Sequence, residues 1–246
     1  MTRAGDVLPA MRSLPLGTPD DIAQGEPVLI LAPHADDESL GCGGLIVALC
    51  RLDNPPYVLI LTDGTGSHPG SAAFPPERLK AVREQEAREA VRRLGLAPDR
   101  IGFAGQRDTA APKKGPEFDL ALATVATWCQ DQQIGAILAP WEHDPHCDHE
   151  AAHLLAVALA RNLGLRHWSY PVWGWTLPGS AMLEGPMPAG MRLDIAGDLE
   201  LKGQAIAAHT SQYGCLITDD PGGFTLPRSL LEAFEQPVET FLRNPA

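Results

Sequence analysis

Two short stretches of the 246-residue chain concentrate side chains that bind metals and move protons. One is Pro33-His34-Ala35-Asp36-Asp37-Glu38; the other runs from Trp141 to His149 (WEHDPHCDH). A catalytic zinc takes three protein ligands from His, Asp or Glu and keeps one position open for water. His34 and Asp37, joined by one histidine of the second stretch, meet that need. Hydrolysis at such an ion calls for a further carboxylate that takes the proton of the attacking water. Asp36 is adjacent to Asp37, cannot easily share its direction, and is free for that role. A histidine left off the metal can hold an oxyanion or protonate a departing amine. Alone, His34-x-Asp-Asp also describes a charged first helical turn. The second stretch is harder to read that way, because His143, His146, His149 and His153 place four of the eight histidines within eleven residues.

Both stretches follow apolar runs that read as buried strands, residues 27–33 (PVLILAP) and 134–140 (IGAILAP). In open α/β sheets, sites form at the carboxyl ends of strands, where both stretches lie. Further strands are predicted over 57–62 (YVLILT), 101–104 and 167–173. Helices are predicted over 36–52, 76–95, 118–129 and 149–163. The second of these carries a stripe of Leu79, Val82, Ala87, Ala90, Val91 and Leu94, with Gly95 as its stop. Strands alternating with helices predict an α/β protein: a single Rossmann-like domain, mostly parallel sheet, helices on both faces. Residues 1–26, polar and broken by Pro and Gly, read as an N-terminal arm, with the domain over 27–246. The last third is less regular. Residues 191–195 alternate weakly, 199–209 read as a helix, and the chain from Gly214 onward reads as long C-terminal loops.

The formal net charge of −12 argues against a nucleic-acid partner, which needs clustered Lys and Arg. Cys42, Cys50, Cys129, Cys147 and Cys215 are odd in number, widely spaced and free of any Cys-x-x-Cys pair. They fit a reduced, cytoplasmic setting better than a disulfide framework. The N-terminus lacks the apolar core of a signal peptide, and no apolar run is long enough for a membrane span.

The paired motifs PHADDESLGCGG and DPHCDHEAA, with LTDG after the second strand and REQEAREAVRRLG beyond it, resemble the LmbE-like, or PIG-L, family of N-acetylglucosaminyl deacetylases. The resemblance covers about residues 27–160, in the family's order. It implies a zinc ion (Zn2+) held by His34, Asp37 and His149, with Asp36 as general base. It further implies that His146 stabilises the oxyanion or acts as acid, that Asp148 orients a histidine, and that Arg83 faces the substrate. Ala35 and Cys147 stand where the family often has proline. Neither is a ligand position, so they put loop rigidity in question more than activity. The substrate implied is a small-molecule amino-sugar conjugate or a glycolipid head group; homo-oligomerisation stays open.

Other readings stand beside these. Arg83 could pair with Glu86 on its own helix, and Cys147 could be a ligand. His143 and His153 are extra to a complete ligand set, and the roles of His68, His153 and His209 are unassigned. Trp141, Tyr170, Trp173 and Trp175 lie near strand ends, where aromatic faces suit sugar rings, though core packing is commoner. Asp63-Gly64-Thr65-Gly66 lacks the third glycine of a dinucleotide fingerprint and the lysine of a P-loop. The function expected is zinc-dependent removal of an acetyl group from an N-acetylated amino sugar. The alternatives are an amidase cleaving a larger acyl or thiol-conjugate amide, and a non-catalytic metal- or sugar-binding protein.

Overall fold

Apolar, β-branched-rich runs without a polar alternation can be buried only if both faces of their sheet are covered. The computed structural model, which describes residues 1–214 and 216–244, meets this with helices on both sides of one large sheet. In chain order the elements are β1 (Thr2–Arg3), α1 (Ala4–Arg12), β2 (Leu16–Gly17), α2 (Pro19–Ala23), β3 (Val28–Ala32), α3 (Asp37–Arg51), β4 (Tyr57–Thr62), α4 (Pro76–Arg93), β5 (Ile101–Gln106), α5 (Pro116–Asp131) and β6 (Ala136–Pro140). Then follow α6 (Cys147–Leu163), β7 (Arg166–Tyr170), β8 (Met182–Leu183), β9 (Gly190–Asp194), α7 (Leu199–Ile206), α8 (Arg228–Phe234) and β10 (Val238–Arg243).

The eight-stranded sheet has the order β2-β9-β10-β7-β6-β3-β4-β5. All its pairings are parallel except those of β10, which lies antiparallel between β9 and β7. On β3, alternate residues enter opposite cores. Val28, Ile30 and Ala32 join Leu45, Ile46 and Leu49 of α3 and Ala87, Ala90 and Val91 of α4. Leu29 and Leu31 join Val125 of α5 and Ala152, Leu155 and Leu159 of α6. From β3 the chain winds outward through β4 and β5, then crosses to β6 on the other side of β3. That reversal leaves a crevice beyond the carboxyl ends of β3 and β6, the switch point where α/β sheets bind ligands.

Close packing at this point explains the GCGG of α3. A Cβ on Gly41 would stand 2.2 Å from the Tyr170 ring. Tyr170 is wholly buried and donates its hydroxyl to Leu31 O at 2.9 Å. The helix gives up about 1 kcal/mol of propensity at such a glycine so that α3 can lie against the sheet.

Residues 1–26, expected as an N-terminal arm, carry regular structure. They hold α1 and α2, and Ala4, Val7, Leu8 and Met11 pack on Trp141, Leu183 and Leu242, an apolar spacing that the surrounding Pro and Gly obscured. The tail is not only loop: it contains α8 and β10. β10 escaped notice because a charged residue, Glu239, sits in it. That carboxylate is buried, accepts the N–H groups of Gly44 and Leu45 (2.7 and 2.9 Å) and is paired with Lys202 Nζ at 2.7 Å. Cys42, Cys50, Cys129 and Cys147 are free thiols, and Cys215 lies outside the described residues. Among the described residues no helix is long and apolar enough to cross a membrane.

Candidate active site

The end of β3 delivers His34 and Asp36 into the crevice, and the first turn of α3 delivers Asp37. Asp36 precedes α3 with φ 144° and ψ −31°, a conformation that strains any residue with a Cβ by about 1–3 kcal/mol and marks a site held in shape by its surroundings. Across the crevice, β6 ends in the turn that leads to His146, Asp148 and His149 at the start of α6.

Two histidines approach one carboxylate oxygen. Asp37 Oδ2 lies 3.2 Å from His34 Nδ1 and 3.3 Å from His149 Nε2. Ligands held about 2.0–2.1 Å from a tetrahedral zinc stand roughly 3.3 Å apart. His149 Nε2 is buried and has no hydrogen-bond partner. The opposite ring nitrogens meet carboxylates: His149 Nδ1 is 2.9 Å from Asp144 Oδ2, and His34 Nε2 is 3.2 Å from Asp148 Oδ2 and 3.3 Å from Asp108 Oδ1. Metal-ligating histidines are oriented in this way, so these residues fit a metal ion. Neighbouring donors also cluster: His146 with His34 and His149, Asp108 and Asp148 with His34, and Cys147 with His146 and Asp148. Cys147 is the poorest of them. The residue is exposed, its thiol points to Thr109 O at 3.5 Å, and partial desolvation of the sulfur, then the adjacent Asp148, raises its pKa, keeping the proton on.

Asp36 stands beside this cluster. Burial, then Asp37, pushes its pKa up to about 7, while Arg83, His209 and His34 pull the other way. Burial also opposes ionisation of Asp37, but His149 and His34 overcome it and hold Asp37 well below the usual carboxylate range. His146 is lowered to about 4, first by burial and then by His34 and His149. Its Nδ1 accepts the N–H of Asp148 at 3.2 Å. The neutral ring therefore carries its hydrogen on Nε2, as a donor.

Arg83 is not paired with Glu86. It is buried, donates to Gly64 O (3.1 Å) and Ala35 O (3.0 Å), and its guanidinium lies 3.6 Å from Asp36 Oδ2. Glu86 instead accepts from Thr210 and Ser211.

These groups border a cleft of about 360 Å³, large enough for a sugar-sized ligand. Its floor includes His34, Asp36, Asp37, Arg83, Asp108 and His146; Trp173, Phe224, Leu226, Gln212 and Ser67 form walls. Apart from Trp173, which follows β7, the walls come from two loops fastened together. Asp219 accepts from Ser71 Oγ and the N–H of Ala73 (2.7 and 2.8 Å), Asp220 from the N–H of Gly70 (2.8 Å), and the Phe224 N–H donates to Ser67 O (2.6 Å).

The remaining histidines stand apart from the cleft. His68 lies behind it, in contact with Ser67 Oγ at 3.2 Å. His153 faces Pro140 O, and His143 stacks edge-on against Trp141; both border a separate groove along α6. His209 is wholly buried against Glu38. Sequence reasoning missed Asp108 and Asp144. Asp108 follows β5 at its carboxyl end, and that position was its one signal. Asp144 sat in the second motif without a role; it accepts from the N–H groups of Val172, Trp173 and Gly174 as well as facing His149.

Comparison with known proteins identifies related chains. The PIG-L family model, described as GlcNAc-PI de-N-acetylase, matches residues 29–160. A Bacillus anthracis protein described as probable N-acetyl-alpha-D-glucosaminyl L-malate deacetylase 2 is 27% identical over 225 residues, 89% of this chain and 92% of that protein. The N,N′-diacetylchitobiose deacetylase of Pyrococcus horikoshii shares the fold with a TM-score of 0.66 at 22% identity, over 93% of this chain and 86% of that one. A deacetylase of teicoplanin biosynthesis shares it with a TM-score of 0.62 at 17% identity, over 77% and 86%.

Proposed function

The chain belongs to the PIG-L family, and from that premise we propose that it is a zinc-dependent hydrolase that removes acetyl from an N-acetylated amino sugar of the N-acetylglucosamine type. The observation that carries the reading is Asp36. It is a strained, buried carboxylate in the cleft floor beside a cluster of metal donors, and a protein that only binds has no use for it.

His34, Asp37 and His149 would hold the zinc, with Asp148 and Asp108 orienting His34 and Asp144 orienting His149. The bound ion supplies Lewis acidity and a water that ionises near neutral pH. Asp36 takes the proton of the attacking water. His146 donates from Nε2 to the carbonyl oxygen as it gains charge. The amide C–N bond then breaks, a proton passes to the departing nitrogen, and acetate and the free amine leave. Arg83 holds Asp36 ionised from below. The aromatic side chains of Trp173 and Phe224, 5.9 Å apart in the cleft wall, offer apolar faces to a pyranose ring. The acetylated substrate is a small amino-sugar conjugate.

The test is metal content and acetate release from N-acetylglucosamine glycosides. Asp36→Asn should keep about one zinc per chain and lose about 10²–10⁴-fold in kcat, the range for a general base. Asp37→Asn should lose the zinc as well. A zinc-loaded Asp36→Asn enzyme with near-full activity would refute the mechanism. Release of longer acyl chains in preference to acetate would turn the reading to a broader amidase.

A further inference from the structure

Asp36, Asp37 and Glu38 are three consecutive acids, all buried, and each has its own partner. Asp37 faces His34 and His149, and Asp36 faces Arg83. Glu38 faces neither the cleft nor these groups. Its Oε1 lies 3.2 Å from His209 Nε2 and accepts the Ser39 hydroxyl at 2.7 Å. Its Oε2 accepts the backbone N–H of Asp36 at 3.0 Å. That N–H belongs to the residue held at φ 144°, and a strained backbone persists only where surrounding contacts over-determine it.

His209 comes from the segment after α7, far away in sequence, and is wholly inaccessible. Its segment is clamped a second time. Glu86 on α4 accepts the Thr210 hydroxyl (2.6 Å), the Ser211 N–H (2.8 Å) and the Ser211 hydroxyl (2.6 Å). Two buried glutamates thus anchor residues 209–211 directly behind the cleft. His209 does not line the cleft, and by contact it reaches the Asp36 main chain through Glu38.

We infer that Glu38 and His209 are a positioning pair: His209 fixes the Glu38 carboxylate, and Glu38 holds the Asp36 main chain in the strained turn that aims its side chain into the cleft. The inference rests on Asp36 being the base.

The experiment measures amine release from methyl N-acetyl-β-D-glucosaminide by the zinc-loaded enzyme, with zinc content alongside. His209→Ala should lower kcat at least tenfold, leave KM within about twofold and retain the zinc. His209→Gln, whose amide can still donate to Glu38, should stay within about threefold of the parent. A crystal structure of His209→Ala should show Asp36 relaxed from φ near +144°, a readout independent of activity. If His209→Ala does not fold, His209→Asn, polar but too short to reach Glu38, takes its place with the same expectations. The pair is refuted if the alanine variant keeps its kcat, if the glutamine variant is as slow as the alanine one, or if Asp36 keeps its backbone angles. Asp36→Asn, run in parallel, separates the two claims. Full activity there removes the base assignment, whereas an inactive Asp36→Asn beside an unaffected His209→Ala removes only the positioning pair.

Discussion

Replacing Arg83 by Met removes the one guanidinium that faces Asp36, at 3.6 Å, with both side chains buried. At an effective dielectric of about 20, that contact is worth roughly 4–5 kcal/mol. This is about three pKa units at most, and a single opposite charge at this range commonly moves a carboxylate by about one to three. The direction follows from the role of Asp36. A general base works ionised, so activity is lost as pH falls through its pKa. Burial and Asp37 already lift that pKa to about 7 against the opposing pull of Arg83, His209 and His34. A cation held at Asp37 draws the whole profile down but leaves the difference between variants. The acid limb of kcat/KM, which reports the free enzyme, should therefore move up by at least one unit in Arg83→Met. Arg83→Lys keeps the charge without the fork that reaches Gly64 and Ala35. Its limb should stay near the parent's even if KM rises. A limb in Arg83→Met that moves by less than about 0.3 unit, with zinc retained, would refute the coupling of Arg83 to Asp36.

Asp144→Asn removes the carboxylate facing His149 Nδ1 at 2.9 Å. Zinc affinity should fall about 10–100-fold in a chelator competition, as for other residues that orient a ligand. Lys202→Met leaves the buried Glu239 carboxylate without its partner at 2.7 Å. Unfolding should come about 3–5 kcal/mol sooner in denaturant titration, and the double variant Lys202→Met/Glu239→Leu should recover much of the loss.

The parts legible in the sequence were those with a local cause. The strands before both motifs announce themselves as apolar runs, and Tyr57–Thr62 was read to the residue. Paired motifs at strand ends are enough to group His34, Asp36, Asp37, His146, Asp148 and His149. What stayed hidden depends on contacts between distant segments. Glu239 in β10 looks wrong for a central strand until Lys202 and the α3 backbone are placed beside it. Asp108 has no motif around it and matters only because β5 ends beside β4. Arg83 was legible as a residue but not as a geometry, since its partners Gly64, Ala35 and Asp36 come from two other loops.

The division of labour among the three acids follows from where their partners originate. Asp37 is balanced by His34 and His149, both inside the family's motifs, so the proposed metal site is built almost entirely from the strand ends of the sheet. Asp36 depends on Arg83 from α4, and Glu38 depends on His209 from beyond α7. The same late segment supplies Gln212, Phe224 and Leu226 to the cleft wall, and two aspartates fasten it to the 67–74 loop. A change in that segment that suits a new substrate therefore acts on the wall and on the backing of Asp36 together. Substitutions at Phe224 or Leu226 that leave His209 in place can alter KM without disturbing the His209–Glu38 contact. Substitutions that displace the whole segment cannot.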